Sequence, residues 1–174
     1  SVGHLVERKG HDIAIRSLTE LPDTIHLVVA GAGPERTPLE SLTQSLQLTG
    51  RVTFAGQVAN EALRWWYSAA DALVLCSNRE GWANVLLESM ACGTPVLGSN
   101  AGGTPEILNF GKLGVLFESM NSMDLSLKMQ GILDGSYVID PNLLQESTAP
   151  YDHNMVCTAI EEQVLNFFHK DLIA

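Results

Sequence analysis

Short apolar runs separated by helix-patterned segments fill the first two thirds of the chain. SVGHLV, TIHLVVAG, RVTFAGQV, ALVLCS, TPVLGSN and GVLFE are each rich in Val, Leu or Ile and continuous rather than alternating. Such runs read as strands buried on both faces, whereas an alternating pattern would leave one face wet. Between them the spacing predicts helices over Lys9–Glu20, Glu35–Leu48, Asn60–Ala70 and Asn84–Cys92, and a short turn of helix over Thr104–Asn109. Gly93 and Pro95 stand where the fourth helix should stop. This β-α-β-α rhythm predicts an α/β fold, a doubly wound, Rossmann-like parallel sheet of about six strands with helices on both faces. After Glu118 the pattern changes to a helix over Met123–Asp134, an irregular stretch over Gly135–Pro150, and a last amphipathic helix over His153–His169 ending at Phe167 and Phe168.

Composition narrows the reading. With 174 residues, 45% of them hydrophobic, the chain is one domain with a substantial core: residues 1–118 hold the sheet and 119–174 form a helical tail. A net charge of −10 argues against nucleic acid and anionic membrane as partners, though Arg8, Lys9 and Arg16 cluster near the start. Cys76, Cys92 and Cys157 lack metal-ligand spacing and read as buried thiols in a reducing, cytoplasmic compartment. No signal peptide or transmembrane run is visible. The chain begins directly in an apolar strand, as expected of a piece cut from a longer protein.

In an open parallel sheet, ligands bind at the carboxyl ends of the strands. The loops there are ERKG, GAGPER, GQVAN, SNREGW and NAGGTPE, and several are Gly-rich turns into helices whose free N–H groups suit an anion. GAGPER is not a dinucleotide fingerprint, because Arg36 occupies the place of its third glycine. Gly31 and Gly33 either form only a tight turn before Pro34 or bring backbone to a ligand. Lys9 and Arg8 are either solvated charges at a helix start or contacts to an anion that would offset the unfavourable charge there. His4 is either a core histidine or a ligand group. Trp65, Trp66 and Tyr67 read as packing residues.

Two glutamates ask for more. Glu88 lies in the apolar helix predicted to be buried, on a narrow polar stripe with Asn84. A buried carboxylate without a partner costs several kcal/mol, so Glu88 is expected to meet a backbone N–H or the hydroxyls of a ligand. An ionised carboxylate accepts only and suits vicinal hydroxyls. Glu80 lies in the loop before that helix, beside Gly81. The two are at most about 12 Å apart along helix and turn, a span suited to two ends of one nucleotide-sugar-sized ligand.

At this point REGWANVLLESMACGTPVLGSNAGGTPEI, with VGHLVERKG, VVAGAGPE and RVTFAGQV before it in order, resembles the donor-binding region of family-4 retaining glycosyltransferases of the GT-B fold. The resemblance covers residues 1–118 strongly and the remainder only as a helical tail. It implies that Glu80 contacts donor-sugar hydroxyls, that Lys9 holds the donor diphosphate, and that these two are the catalytic candidates. It further implies that Gly81, Trp82, Ala83 and Asn84 line the sugar and phosphate site, that Glu88 accepts from the ribose hydroxyls, and that Val58 sits near the base. Gly102, Gly103 and Thr104 would face the phosphates, with Gly33 a further donor-binding candidate. His4 departs from the Arg common in the family and is a weaker phosphate partner. The implied activity is transfer of a hexosyl-type sugar from a nucleoside-diphosphate sugar with retention, with no metal and no cofactor. The acceptor would lie on a preceding N-terminal domain absent from this chain, through which alone any peripheral membrane contact would pass. A nucleotide-sugar epimerase of the same fold and a non-catalytic nucleotide-sugar-binding module are the competing readings.

Overall fold

Leu73, Val74, Leu75 and Cys76 follow one another in the chain, yet Leu73 and Leu75 pack into one hydrophobic cluster while Val74 and Cys76 pack into another. Successive strand side chains point to opposite faces, so a continuous apolar strand must be covered on both. The computed structural model describes residues 1–151 and shows that arrangement. Strands β1 (Leu27–Ala30), β2 (Val52–Gly56), β3 (Leu73–Leu75), β4 (Val96–Ser99) and β5 (Val115–Phe117) alternate with helices α1 (His11–Ser17), α2 (Arg36–Ser45), α3 (Asn60–Ala69), α4 (Asn84–Ala91), α5 (Thr104–Ile107), α6 (Ser122–Leu133) and α7 (Pro141–Thr148). Helices α1, α2 and α6 cover one face through Ile13, Ile15, Leu39 and Leu125. The other face carries α3, α4, α5 and α7 through Leu63, Leu86, Met90, Ile107 and Leu144.

All pairings are parallel. β1 lies against β2 with Leu27 opposite Val52, and β3-β4-β5 form a second ladder with Leu73 opposite Val96 and Leu97 opposite Val115. The fold is therefore the α/β, Rossmann-like one expected, with five strands in the ladders of the described residues where about six were expected. The first expected strand makes a single bridge, Val2 to Ala30, although Gly3 and Leu5 still donate to Ala30 and Ala32.

Two expected boundaries move. The helix expected over Lys9–Glu20 is a 3-10 turn over Glu7–Lys9, then α1, then a second 3-10 turn over Leu18–Glu20. Gly10 breaks it with φ 64°, and a Cβ at that position would stand 2.4 Å from the Cys76 carbonyl oxygen. Only glycine allows that approach. The stretch expected to be irregular over Gly135–Pro150 contains α7, where Pro141 opens the helix and the Asp140 carboxylate accepts from the Asn142 N–H. Proline at the first helical position has no N–H to lose there. The expected helix over His153–His169, with Phe167, Phe168 and Cys157, lies outside the described residues.

The buried histidine is His11, only 3% exposed, whereas His4 is exposed. Burial pushes the His11 imidazole down from 6.5 to about 4. Between those values the unfolded chain binds the extra proton and the folded chain does not, so stability falls as pH drops from about 6.5 to about 4. The expected loss from this group is about 3 kcal/mol across that window. Denaturant titrations at pH 7 and pH 4 check it, and equal slopes and midpoints for the wild type and His11→Gln at both pH values would remove His11 from the account.

Candidate functional site

The carboxyl ends of the strands carry two adjoining constellations. The first is a chain of polar contacts sealed under the loops after β3 and β4. The Ser99 hydroxyl, at the end of β4, donates to the Ser77 carbonyl, and the Ser77 hydroxyl donates to Glu80 Oε1 at 2.8 Å. Lys9 Nζ forms an ion pair with the same carboxylate oxygen, and both side chains are largely buried, at 17% and 9% exposed. Burial alone would push the Glu80 carboxyl up, but the Lys9 ammonium, the Ser77 hydroxyl and nearby Arg8 together bring it below its ordinary value. The contribution of the pair to stability is thus present above the ordinary carboxylate range and lost as pH falls through it.

This arrangement answers the question of Lys9. Its charge is balanced by Glu80, and it sits at the end of a 3-10 turn rather than at an α-helix start. An ammonium carries three donors and can hold Glu80 while offering the others to a second anion. Backbone contacts fix the three loops around it. Asn78 N–H donates to the Arg8 carbonyl, and Gly103 N–H donates to the Glu80 carbonyl. Gly102 has φ 56°, and a Cβ on it would stand 2.1 Å from the Glu80 carbonyl oxygen. The GG pair is therefore needed to seat the Glu80 loop, whatever it also offers a ligand.

The second constellation is a cavity of about 500 Å³, within the size range of small-molecule sites, lined by His4, Gly31, Val58, Asn60, Val85 and Glu88 among others. Here one expectation is corrected. Glu88 is exposed, not buried, because α4 turns its Asn84–Glu88 stripe outward while Leu86 and Met90 face the core. Its partner is Tyr67, whose hydroxyl donates to Glu88 Oε2 at 2.8 Å. Tyr67 is itself only 3% exposed, and burial together with that hydrogen bond raises its phenol well above the ordinary range. Tyr67 was read as packing and is also a positioning group. Trp65, in contrast, is 66% exposed.

The structure thus gathers His4, Val58 and Glu88 at one cavity and Lys9 and Glu80 in the adjoining cluster. Gly81 and Asn84 are exposed, with open space around Gly81, while Ala83 is buried. Trp82 is half-exposed, its ring 5.6 Å from that of Tyr151. Gly33 lies against the first segment, where a Cβ would meet the Leu5 carbonyl oxygen at 2.4 Å, which explains the glycine by packing alone. Thr104 turns its side chain inward, and its hydroxyl is buried without a hydrogen bond to the described residues. Ser77 and Tyr67 escaped the sequence reading. Only Ser77 carried a local signal, three residues before Glu80 in the same loop. Among the described residues, no helix is long and apolar enough to cross a membrane.

The family described as "Glycosyl transferases group 1" matches residues 1–147. A lipopolysaccharide core biosynthesis glycosyltransferase, LpsE of Rhizobium meliloti, is 36% identical over 118 residues, covering 68% of this chain and 34% of that protein. A GDP-mannose-dependent alpha-(1-6)-phosphatidylinositol monomannoside mannosyltransferase of Mycolicibacterium smegmatis is 35% identical over 128 residues, covering 67% and 33%. The chain thus spans about a third of the length of these curated relatives. Among solved structures, HepE of Anabaena in complex with UDP shares the fold with a TM-score of 0.81 at 23% identity, covering 97% of this chain and 47% of that one.

Proposed function

The chain belongs to the group 1 glycosyl transferases, and from that premise we propose that it is the nucleoside-diphosphate-sugar-binding half of a retaining glycosyltransferase moving a hexosyl-type sugar. The observation that carries this reading is the Glu88 carboxylate, held by a buried tyrosine at the wall of a cavity that adjoins the Lys9–Glu80 pair.

With Tyr67 occupying Oε2, the remaining lone pairs of Glu88 are free to accept from two vicinal ribose hydroxyls. The base then lies toward Val58, and the diphosphate runs toward Lys9. Glu80, fixed by Ser77, Lys9 and the GG loop, meets the hydroxyls of the sugar. As the bond from sugar to diphosphate breaks, negative charge grows on the departing phosphate. A pre-placed ammonium at Lys9 and the N-terminus of α4 stabilise that charge without reorganising. No metal is assigned a part in this step. The acceptor site is placed on a further N-terminal domain, and the acceptor is a glycan, lipid or small molecule. The free thiols of Cys76 and Cys92 support a reducing, cytoplasmic setting.

Titration calorimetry against UDP-, GDP- and ADP-sugars tests the proposal. One nucleotide series is expected to bind, with no sugar transferred or altered by residues 1–174 alone. Binding of none would refute the donor site. Conversion of the sugar in the bound donor would identify an epimerase, and steady transfer would place the acceptor site within this chain.

A smaller effect checks how Glu88 is held. Tyr67→Phe removes one hydrogen bond to a charged acceptor, and ribonucleotide affinity is expected to fall by about 1.5 kcal/mol. The 2′,3′-dideoxy nucleotide should lose almost nothing. Equal losses for both ligands would show that Tyr67 acts only on the fold.

A further inference from the structure

Strand β5 ends the β3-β4-β5 ladder, and among the described residues its outer edge is unpaired. The parallel ladder alternates its bonds, and the Asn100 N–H donates to the Phe117 carbonyl. Val115 and Phe117 therefore bond toward β4, while the backbone groups of Leu116 and Glu118 point to the other edge. The Glu118 N–H is capped by the Asp124 carboxylate at 2.7 Å. Leu116 has no such cap among the described residues, and with Gly114, buried just ahead of β5, it lines a second cavity of about 440 Å³, walled by Phe110, Lys112, Lys128 and Tyr137.

That groove reverses the character of the surface. The chain carries a net charge of −10, yet among the described residues no carboxylate lines the groove and two lysines do. Neither Lys112 nor Lys128 makes an ion pair with the described residues. Lys128 stands 5.9 Å from the Tyr137 ring centroid. Phe110 is 74% exposed, held outward by consecutive left-handed residues, Asn109 at φ 45° and Phe110 at φ 52°, and Val138 is 90% exposed. A left-handed conformation is strained for a bulky residue such as Phe110, and here it keeps an aromatic ring in water beside two cations.

We propose that this groove binds an extended acidic segment of a partner protein, which adds a strand to β5. Its backbone pairs with Leu116, its carboxylates meet Lys112 and Lys128, and its apolar residues rest on Phe110 and Val138. Strand addition of this kind takes affinity from main-chain bonds and selectivity from the side-chain pockets beside the edge. A peptide alternating Glu and Val matches both features.

The probe is a fluorescein-labelled Glu-Val-Glu-Val-Glu-Val peptide, followed by anisotropy and by amide exchange of the 174-residue chain. The peptide is expected to bind and to slow exchange at Leu116 specifically. The Lys-for-Glu peptide should not bind, and Lys112→Glu with Lys128→Glu should weaken the acidic peptide at least tenfold while leaving nucleoside-diphosphate binding unchanged. Leu116→Pro, which removes an outward N–H at an edge where proline is tolerated, should do the same. If that variant does not fold, the exchange pattern and the lysine variants decide alone. Absence of peptide binding, equal affinity for polyglutamate lacking apolar residues, or unchanged exchange at Leu116 would overturn the proposal. So would dimerisation of the free chain through this edge that the peptide fails to displace.

Discussion

Replacing Lys9 with methionine is expected to weaken a nucleoside diphosphate by about 1.5–3 kcal/mol, the range for a charge-assisted hydrogen bond. The bare nucleoside should bind almost as before. Methionine keeps most of the stem that lies along Gly3 and removes only the ammonium. The loss has two sources. One is the donor–phosphate contact itself. The other is Glu80, which stays fixed by Ser77 and is no longer neutralised, so an anion arriving nearby meets an uncompensated carboxylate. Melting temperature must be read alongside, since a largely buried carboxylate left unpaired also destabilises the fold. If nucleoside and diphosphate weaken by the same amount, Lys9 acts through the fold and the phosphate assignment is wrong.

The two glutamates should fail in different ways. Glu88→Gln keeps the volume and one acceptor but presents an NH₂ group to a ligand hydroxyl or to the Tyr67 hydroxyl. Every ribonucleotide, with or without its sugar, is expected to weaken by about 1–3 kcal/mol. The 2′,3′-dideoxy nucleotide should bind the wild type poorly and lose little more in the variant. Glu80→Gln should leave plain diphosphate affinity almost intact and reduce the preference for the sugar-bearing donor. Calorimetry of both variants against diphosphate and diphosphate sugar reads the orientation of the ligand. The opposite pattern, Glu80→Gln abolishing diphosphate binding while Glu88→Gln spares it, would reverse that orientation.

Much of this was legible because it is local. The strands of β3 and β4 are continuous apolar runs, and the helices α2, α3, α4 and α6 begin within a residue of where periodicity put them. Gly93, read as the stop of α4, does take a left-handed φ of 75° behind it. The errors arise where tertiary contacts decide. An apolar helix looks buried all round in sequence, but α4 needs only Leu86, Ser89 and Met90 inside, which frees Glu88 to face a cavity. Tyr67 and Glu88 are 21 residues apart, and Lys9 and Glu80 are 71 apart, so no spacing rule could pair them. The stretch over Gly135–Pro150 reads as irregular, yet Asp140 is a capping residue and Pro141 after it suits the first helical position, so the two open α7.

The central claim is that the Tyr67–Glu88 cavity and the Lys9–Glu80 pair hold opposite ends of one donor. A crystal structure of residues 1–174 with whichever of UDP, GDP or ADP binds most tightly tests it most directly. The account predicts both ribose hydroxyls within hydrogen-bond distance of the Glu88 carboxylate, the base beside Val58, and the terminal phosphate on Lys9 Nζ. A ribose seated at Glu80, or a diphosphate lying away from Lys9 with the Lys9–Glu80 pair closed against it, would contradict the account.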